Sequence, residues 1–365
     1  MTAKIVLENL KHKPVRSLLS ILLVGVPVTL ILCLVGLSHG MLEDTQRRTR
    51  AVGADIIVRS PTSSILSTGG AMPAGVATAL EERPHVTLAV GVVNALVGVD
   101  LWAVGIDLEN FTRISGGFKM RSGTSFRQPD DVMIDEYYAS EKKAHVGSYL
   151  PFLNRQWRVC GIFEGGILSH VVFPLALLQD LSGNTGNVSQ IYLKLDDPAN
   201  TDQVIESLKN DPAWGVYKVY STADFTSLFS INNIPGLREF VWVIVSIGVI
   251  IGFAVMCLSM YMAVLQRTRE IGILKSLGAS NAFILRIVLA EALIMGVGGT
   301  ALGIVMSFGA WWLIKTLLPA SIPMVIVPIW WPIALGITLV GTLLGALYPG
   351  LAAARHDPIE ALAYE

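Results

Sequence analysis

Residues 18–37 read LLSILLVGVPVTLILCLVGL, a run without a charged side chain. The hydrocarbon core of a bilayer is about 30 Å thick, and a helix needs about 20 apolar residues to cross it. This run therefore predicts a transmembrane helix. It is longer than the apolar part of a secretory signal, and no small-x-small cleavage site follows it closely, so we expect it to remain as an anchor.

Three further stretches are long and predominantly apolar, namely residues 240–265, residues 287–314, which contain Glu291, and residues 333–351. Hydrophobic residues make up 52% of the chain and charged residues only 15%, a composition too apolar for an ordinary soluble domain of this length. The sequence thus predicts four transmembrane helices. A formal net charge of -1, with no Lys/Arg cluster among aromatic residues, excludes nucleic acid as a partner.

Basic residues predict which side of the membrane each link occupies. They gather before the first span and between the second and third spans, at Lys4, Lys11, Lys13, Arg16, Arg267, Arg269, Lys275 and Arg286. Both regions are therefore expected in the cytoplasm, and four crossings return the C-terminus to that side. Tryptophans flank the loop near residues 318–328, as in an interfacial aromatic belt. That loop is expected outside.

These assignments divide the chain into nine segments. The cytoplasmic ones are expected at residues 1–16, 266–280 and 353–365. Transmembrane helices are expected at residues 17–38, 237–265, 281–316 and 330–352. An extracytoplasmic domain and an extracytoplasmic loop are expected at residues 39–236 and 317–329.

The segment between the first and second spans combines turn clusters with short β-like runs. It predicts one α+β domain of one or two lobes. Its clearest unit is a strand at residues 190–195, a helix that Asn200 caps, and a strand at residues 215–220. Another β-rich part covers residues 86–108. Turns or bulges are expected there at Gly91, Gly98 and Gly105.

The cytoplasmic link contains QRTREIGILKSLGAS at residues 266–280. Ile271, Leu274 and Leu277 recur at helical spacing and predict one apolar face, and Gly278 is placed to end the helix. Two interpretations are open. The helix either lies on the lipid headgroups or is a rigid knob that docks into a groove of a partner.

Several motifs resemble those of FtsX-like and MacB-like ABC transporter permeases. The cytoplasmic helix at residues 267–280 resembles their signature, and YPGLAAARHDPIEAL at residues 348–362 is similar to their ending. NLKHKPVRS at residues 9–17 and VGAD at residues 52–55 match their usual opening. The resemblance implies four transmembrane α-helices and a MacB-like periplasmic core domain, an α+β extracytoplasmic domain inserted between helices 1 and 2.

The resemblance also implies a machine of the mechanotransmission type in the bacterial cytoplasmic (inner) membrane. A second permease copy or similar chain and a cytoplasmic ABC ATPase dimer would be partners, with or without a periplasmic adaptor. The ATPase contacts are expected at Arg267, Arg269, Glu270, Ile271, Gly272, Leu274, Leu277 and Gly278. The cytoplasmic tail is expected to support them through Arg355, Asp357, Pro358 and Glu360.

This chain contains no G-x-x-x-x-G-K-[ST] phosphate loop. We therefore expect it to bind no cofactor, with ATP and Mg held by the partner ATPase. The G-x-S-x-G pattern at residues 36–40 formally fits a nucleophile elbow, but it ends a predicted span instead of joining a strand to a helix. No catalytic residue and no metal site are expected.

Small and polar residues within the spans predict helix packing. Gly299, Gly303 and Ser307 recur every fourth residue, and Gly341 and Gly345 do so on the last span. Such faces allow close contact within the chain or across a dimer. Glu291 is interpreted as a packing hydrogen bond, the alternative being a proton relay.

Three functions are compatible with this sequence. The first is a permease that powers export or membrane extraction of a hydrophobic, lipid-linked or peptide substrate. The second is a signalling subunit that activates an extracytoplasmic cell-wall hydrolase without transport. The third is an unpartnered membrane receptor or scaffold, against which the coupling-helix motif argues.

Overall fold

A computed structural model describes residues 14–63, 71–98 and 101–355. In chain order its elements are α1 (Pro14–Arg50), β1 (Ile56–Arg59), β2 (Met72–Pro73), α2 (Gly75–Glu81), β3 (Val86–Leu96), β4 (Trp102–Ile106), α3 (Leu108–Ser115), β5 (Met120–Gly123), β6 (Asp131–Asp135), α4 (Glu136–Lys142), β7 (Tyr149–Phe152), β8 (Arg155–Phe163), β9 (Val171–Pro174), α5 (Leu175–Leu181), β10 (Asn187–Val188), β11 (Gln190–Leu195), α6 (Thr201–Asn210), β12 (Lys218–Ser221), α7 (Thr222–Leu228), α8 (Leu237–Leu265), α9 (Thr268–Ser276), α10 (Asn281–Leu317) and α11 (Trp330–Arg355).

These elements form two compact units. The first, which we name the helical unit, contains residues 14–39, 236–314 and 324–355. The second, the α/β unit, contains the described residues between 40 and 235 together with residues 315–323. The α/β unit thus includes part of the connection between α10 and α11.

The helices α1, α8, α10 and α11 are long and apolar enough to cross a membrane. This confirms the prediction of four apolar helices. Helix α1 continues beyond the predicted span at residues 17–38 and ends at Arg50. Its last turns are polar but remain helical, because ion pairs one turn apart stabilise them; Arg48 Nε lies 2.5 Å from Asp44 Oδ2. The membrane boundaries of the four helices stay predictions.

A ten-stranded sheet is the core of the α/β unit, in the order β12-β1-β11-β3-β4-β9-β6-β8-β5, with β7 also paired to β8. The pairs β4–β9 and β6–β8 are parallel and the other pairs are antiparallel. Because successive side chains of a strand face opposite sides, Ile56 and Val58 join one apolar cluster and Ile57 joins another. The mixed fold agrees with the predicted class, and one sheet runs through the unit.

Two local predictions in this unit are wrong. Asn200 makes no capping hydrogen bond; it ends a short 3-10 helix, Pro198–Asn200, which Asp197 caps. The next strand begins at Lys218 instead of residue 215. The strand begins later than predicted because the preceding residues form a turn. The side chain of Asp211 accepts a hydrogen bond from the Ala213 amide, and its carbonyl accepts from the Trp214 and Gly215 amides.

Gly91 and Gly105 lie inside strands β3 and β4, where the sequence predicted turns or bulges. Each allows a side chain to approach the sheet closely. A Cβ at Gly91 would lie 2.8 Å from Val188 Cγ1, and one at Gly105 would lie 2.9 Å from Leu178 Cβ. These glycines are therefore packing positions, whereas Gly98 does lie in a bend after β3.

Candidate functional site

The short helix α9 is separated from α8 and α10 by non-helical residues. Arg267 precedes it with φ −119° and ψ 15°. Gly278 follows it with φ +92°, a left-handed conformation that favours glycine. The Gly278 amide donates to Lys275 O at 2.9 Å, and the Ala279 amide donates to Leu274 O at 3.0 Å. These bonds close the C-terminus of α9 as helix-ending glycines do.

One face of α9 packs on neighbouring helices of the helical unit, and the other face is exposed. Ile271 and Leu274 contact a cluster of buried side chains from α8, α10 and α11. Ile273 is exposed, and Leu277 has an exposed fraction of 80%. Two of the three apolar residues in the predicted face thus face their own chain. Ile273, which the spacing argument left out, shares the open face with Leu277.

The other predicted coupling residues divide in the same way. Gly272 is buried, and Arg269, Glu270 and Gly278 are exposed. The open surface of α9, which we name the α9 surface, therefore consists of Arg269, Glu270, Ile273, Leu277 and Gly278. It combines two exposed apolar side chains with charges of both signs.

Arg267 points into the helical unit and pairs with Glu291 of α10. Arg267 Nη1 lies 3.2 Å from Glu291 Oε2, and the two side chains are only 12% and 4% exposed. A buried carboxylate is costly unless a cation or hydrogen-bond donors compensate it. Glu291 thus has a specific partner, Arg267, in the contact between the start of α9 and α10. Sequence reasoning missed this partner because it placed Arg267 toward the ATPase.

Lys275 connects α9 to the end of α11. Its Nζ donates to Ala354 O at 2.9 Å, a favourable position for a cation because the last carbonyls of a helix lack partners within the helix. Arg355, the last residue of α11, is exposed. Asp357, Pro358 and Glu360 lie outside the described residues, so their support of the α9 surface stays a prediction.

The predicted packing face of α10 is occupied by α1 of the same chain. A Cβ at Gly299 would lie 2.5 Å from Val24 Cγ1, and one at Gly303 would lie 2.7 Å from Val28 Cγ1. The hydroxyl of Thr29 donates to Gly303 O at 3.2 Å. The small residues thus allow two helices of one chain to approach closely.

The two glycines of the predicted face on α11, Gly341 and Gly345, differ in how closely other atoms approach them. A Cβ at Gly345 would lie 2.8 Å from Phe253 O, so α11 packs closely on α8 at this point. Gly341 is buried, yet a Cβ there would meet nothing within 4 Å. Ser307 of α10 is buried and donates to Ile304 O at 2.7 Å.

Glu141 is a residue of the α/β unit that sequence reasoning missed. Its carboxylate accepts hydrogen bonds from the amides of Ala320 and Ser321, at 3.2 and 2.9 Å, and from the Ser321 hydroxyl at 2.6 Å. Lys142 Nζ lies 3.1 Å from the same carboxylate. Burial opposes its ionisation, but the bonds from Ser321 and Lys142 outweigh burial and hold the pKa of Glu141 below its ordinary value. This carboxylate anchors the α10–α11 connection to the domain.

Replacing Glu141 with alanine is expected to release residues 318–323. Hydrogen bonds to a charged group contribute about 1.5–3 kcal/mol, so the Ala320 and Ser321 amides should exchange their hydrogens roughly 10- to 100-fold faster. Because the folded pKa is lowered, this protection is present above the ordinary glutamate pKa and is lost as the pH falls through the folded value. Hydrogen exchange followed by mass spectrometry measures both effects.

The matched control is Glu109→Ala, which removes an exposed glutamate in the first turn of α3. It should leave exchange at residues 318–323 unchanged. Equal exchange in wild type and Glu141→Ala would contradict the anchoring role.

The other sequence patterns form no site of their own. Residues 36–40 lie within α1, where the Ser38 hydroxyl donates to Leu34 O, so the strand-turn-helix of a nucleophile elbow is not formed there. Among the residues that the structure describes, no group of three His, Cys, Asp or Glu side chains could hold a metal ion.

The chain thus contains four helices apolar enough to cross a membrane, an α/β unit between the first two and a short helix between the second and third. Comparison with known proteins gives its family. Residues 17–211, more than half of the chain, match the model of the MacB-like periplasmic core domain. Residues 242–358 match the FtsX-like permease C-terminal model. The chain belongs to the MacB/FtsX-type family of ABC transporter permeases.

Three relatives illustrate the extent of the similarity. The ABC transporter permease MJ1507 of Methanocaldococcus jannaschii, itself described as uncharacterized, is 22% identical over 97% of this chain and 96% of its own length. YknZ of Bacillus subtilis, a permease also described as uncharacterized, is 28% identical over 54% of this chain and 50% of its own length. The macrolide export ATP-binding/permease protein MacB of Salmonella paratyphi A is 27% identical over 54% of this chain and 31% of its own length.

Two solved domains are also similar. The extracellular domain of YknZ has a TM-score of 0.36 and 13% identity and covers 46% of this chain and 99% of its own. The periplasmic region of MacB from Actinobacillus actinomycetemcomitans has a TM-score of 0.37 and 16% identity, with coverage of 51% and 97%. The family assignment rests on the two sequence models.

Proposed function

We propose that this chain is the permease subunit through which a separate cytoplasmic ABC ATPase moves an extracytoplasmic domain. ATP hydrolysis by the partner would drive export or membrane extraction of a hydrophobic, lipid-linked or peptide substrate. The chain itself would act without catalysis and would bind neither ATP nor Mg, which the ATPase would hold.

The α9 surface is the observation that carries this proposal. Ile273 and Leu277 are apolar side chains left uncovered on a helix whose other face is fixed to the helical unit. Lys275 joins α9 to α11, and Arg267 joins the residue before it to α10. Ile271 and Leu274 also contact side chains of α8. A displacement of this surface would therefore be transmitted to α8, α10 and α11.

The partners follow from the same mechanism. A second permease copy or a similar chain would complete the machine over an ATPase dimer. A periplasmic adaptor would be an additional partner on the other side. We place the protein in the bacterial cytoplasmic (inner) membrane with both termini in the cytoplasm, in contact with membrane lipid.

Isolation of the complex tests this proposal. The full chain is purified from its native membrane in mild detergent, and the copurifying proteins are identified by mass spectrometry. We expect an ABC ATPase in stoichiometric amount, with a hydrolysis rate that changes when the permease is removed. Recovery of the intact permease without any ATPase would contradict the proposal.

Cysteine labelling in intact cells tests the proposed orientation. In a chain whose three native cysteines are replaced, Ser122→Cys lies on an exposed strand of the α/β unit and Ser276→Cys on the exposed end of α9. An impermeant thiol reagent should label residue 122 in intact cells and residue 276 only after the membrane is opened. Labelling of residue 276 from outside would overturn the proposed orientation.

The alternative function is a signalling subunit that activates an extracytoplasmic cell-wall hydrolase without transport. It would use the same α9 surface and the same ATPase. The two functions differ in whether the chain binds a small or lipid-like substrate.

A further inference from the structure

The α/β unit contains a cavity of about 450 Å³. All of its lining residues belong to that unit. They come from the last turns of α1, the start of β4, the α4–β7 region, the segment before β9 and the α10–α11 connection, and include Met41, Thr45, Arg48, Trp102, Phe152 and His170. The volume lies within the range of small-molecule sites in proteins, about 300–1,000 Å³.

A buried polar network holds one wall of this cavity in place. Arg48 is only 9% exposed and pairs with Asp44 at 2.5 Å and with Asp135 at 3.4 Å. Asp135 Oδ2 lies 2.7 Å from His170 Nδ1, and its Oδ1 accepts from the Tyr138 amide at 2.8 Å. Side chains from α1, β6 and the segment before β9 are thus bound to one another, so this wall is formed before any ligand arrives.

Each cation of the lining already has a carboxylate beside it. Arg48 pairs with Asp44 and Asp135, and Lys142 Nζ lies 3.1 Å from Glu141 Oε1. Arg48 Nη1 is nevertheless buried and makes no hydrogen bond within the described part of the chain. An uncharged acceptor, such as a carbonyl or hydroxyl oxygen, could bind this nitrogen without adding a charge to groups that are already paired, whereas a charged ligand would also have to compete with these carboxylates.

The remaining lining combines apolar and polar side chains. Met41 and Trp102 are partly uncovered, with exposed fractions of 54% and 41%. Thr45 and Ser169 add hydroxyl groups beside them, and Phe152 adds a buried aromatic ring. Apolar walls with a few fixed polar groups are typical of sites that bind small organic molecules.

We propose that this cavity binds an uncharged amphiphile, a molecule with an apolar body and one or a few hydroxyl, ester or amide groups. The apolar body would cover Trp102 and Met41, and the polar groups would bind Arg48 Nη1 and the hydroxyls of Thr45 and Ser169. This inference rests on the proposed transport function and specifies its substrate class within the hydrophobic compounds.

Photolabelling of the full chain in lipid nanodiscs tests the site. The probe is a monoglyceride of decanoic acid that carries a diazirine in its acyl chain, and the comparison probe is the corresponding charged fatty acid. We expect the uncharged probe to label residues 41–49, 101–102 and 168–170 saturably, and the fatty acid to label them much less. Stronger labelling by the fatty acid would overturn the proposed ligand class.

Two variants locate the site by different means. Trp102→Ala removes an apolar wall, and Thr45→Trp fills the cavity. Trp102→Ala should reduce labelling by about tenfold, the effect of losing the burial of one large apolar group, and Thr45→Trp should reduce it at least as much because its side chain occupies the space of the ligand. The matched control Tyr149→Ala removes an aromatic side chain that is 62% exposed and lies outside the cavity, and it should label like wild type.

Thermal unfolding of each variant shows whether the fold is intact. Labelling of both cavity variants at the wild-type level would contradict the site, as would saturable labelling elsewhere in the α/β unit. ATPase stimulation is measured on the same samples. If stimulation is normal but the cavity is never labelled, this inference fails and the proposed coupling stands; if stimulation is also absent, the proposed function fails as well.

Discussion

Leu277→Asp is expected to weaken binding of the ATPase partner by roughly thirtyfold or more, and to abolish its stimulation by the permease. Leu277 is 80% exposed at the open end of α9, where the proposed partner groove would cover it. A charge buried in such a groove without a counter-charge costs about 2 kcal/mol or more, and 1.4 kcal/mol is a factor of ten in affinity. A pull-down and an ATPase assay on purified complexes measure both effects.

Two comparison variants separate docking from folding. Leu153→Asp makes the same chemical change at an exposed position of the α/β unit with φ +50°, a conformation that Asp tolerates, and it should bind normally. Leu274→Asp places a charge against the buried cluster and should lower thermal stability. Leu277→Asp should leave stability unchanged. Wild-type binding and stimulation by Leu277→Asp would contradict the docking role of the α9 surface.

Gly303→Leu is expected to lower the stability of the helical unit by about 3 kcal/mol, at the upper end of the usual cost of overpacking. The cost should be large because a single Cβ at this position already lies 2.7 Å from Val28 Cγ1 and 2.9 Å from Gly25 O. The carbonyl oxygen of Gly25 belongs to the backbone of α1, so it cannot move away as the end of a flexible side chain can. Thermal unfolding of the purified protein in detergent should show a clear fall in Tm.

Gly309→Leu is the matched control for this substitution. It makes the same change on the same helix, but a Cβ at Gly309 meets nothing within 4 Å. Its Tm should stay close to that of the wild type, because the new side chain meets no neighbouring atom. Both variants lose a glycine and gain the same apolar surface, so the difference between their Tm values reports the packing at Gly303. Equal Tm values for Gly303→Leu and wild type would contradict close packing of α1 on α10.

The main features of the fold could be predicted because their signals are local. Uncharged runs of the length of residues 18–37 indicate membrane spans without any knowledge of tertiary contacts. The position of Gly278 likewise predicted the end of α9, since a left-handed residue after a helix is most often glycine. The strand order of the ten-stranded sheet carries no such local signal. It depends on pairings between distant segments, such as β1 with β11 and β12.

The errors at the candidate site have a common cause. Helical spacing shows which residues share a face but not what covers that face. Ile271 and Leu274 are covered by their own chain, and Arg267 turns inward to Glu291 from 24 positions away. Glu141 and Ser321 are still farther apart, 180 positions along the chain. Contacts at such separations require the folded structure.

Site-specific crosslinking at Leu277 tests the central claim most directly. A photoreactive benzoylphenylalanine replaces Leu277 in the full chain in its native host, and the same residue replaces Leu153 as the control. If α9 docks into an ABC ATPase, residue 277 should crosslink to that ATPase in high yield, and residue 153 should not. Crosslinks from residue 277 to lipid alone, or equal ATPase crosslinking from both positions, would contradict the account.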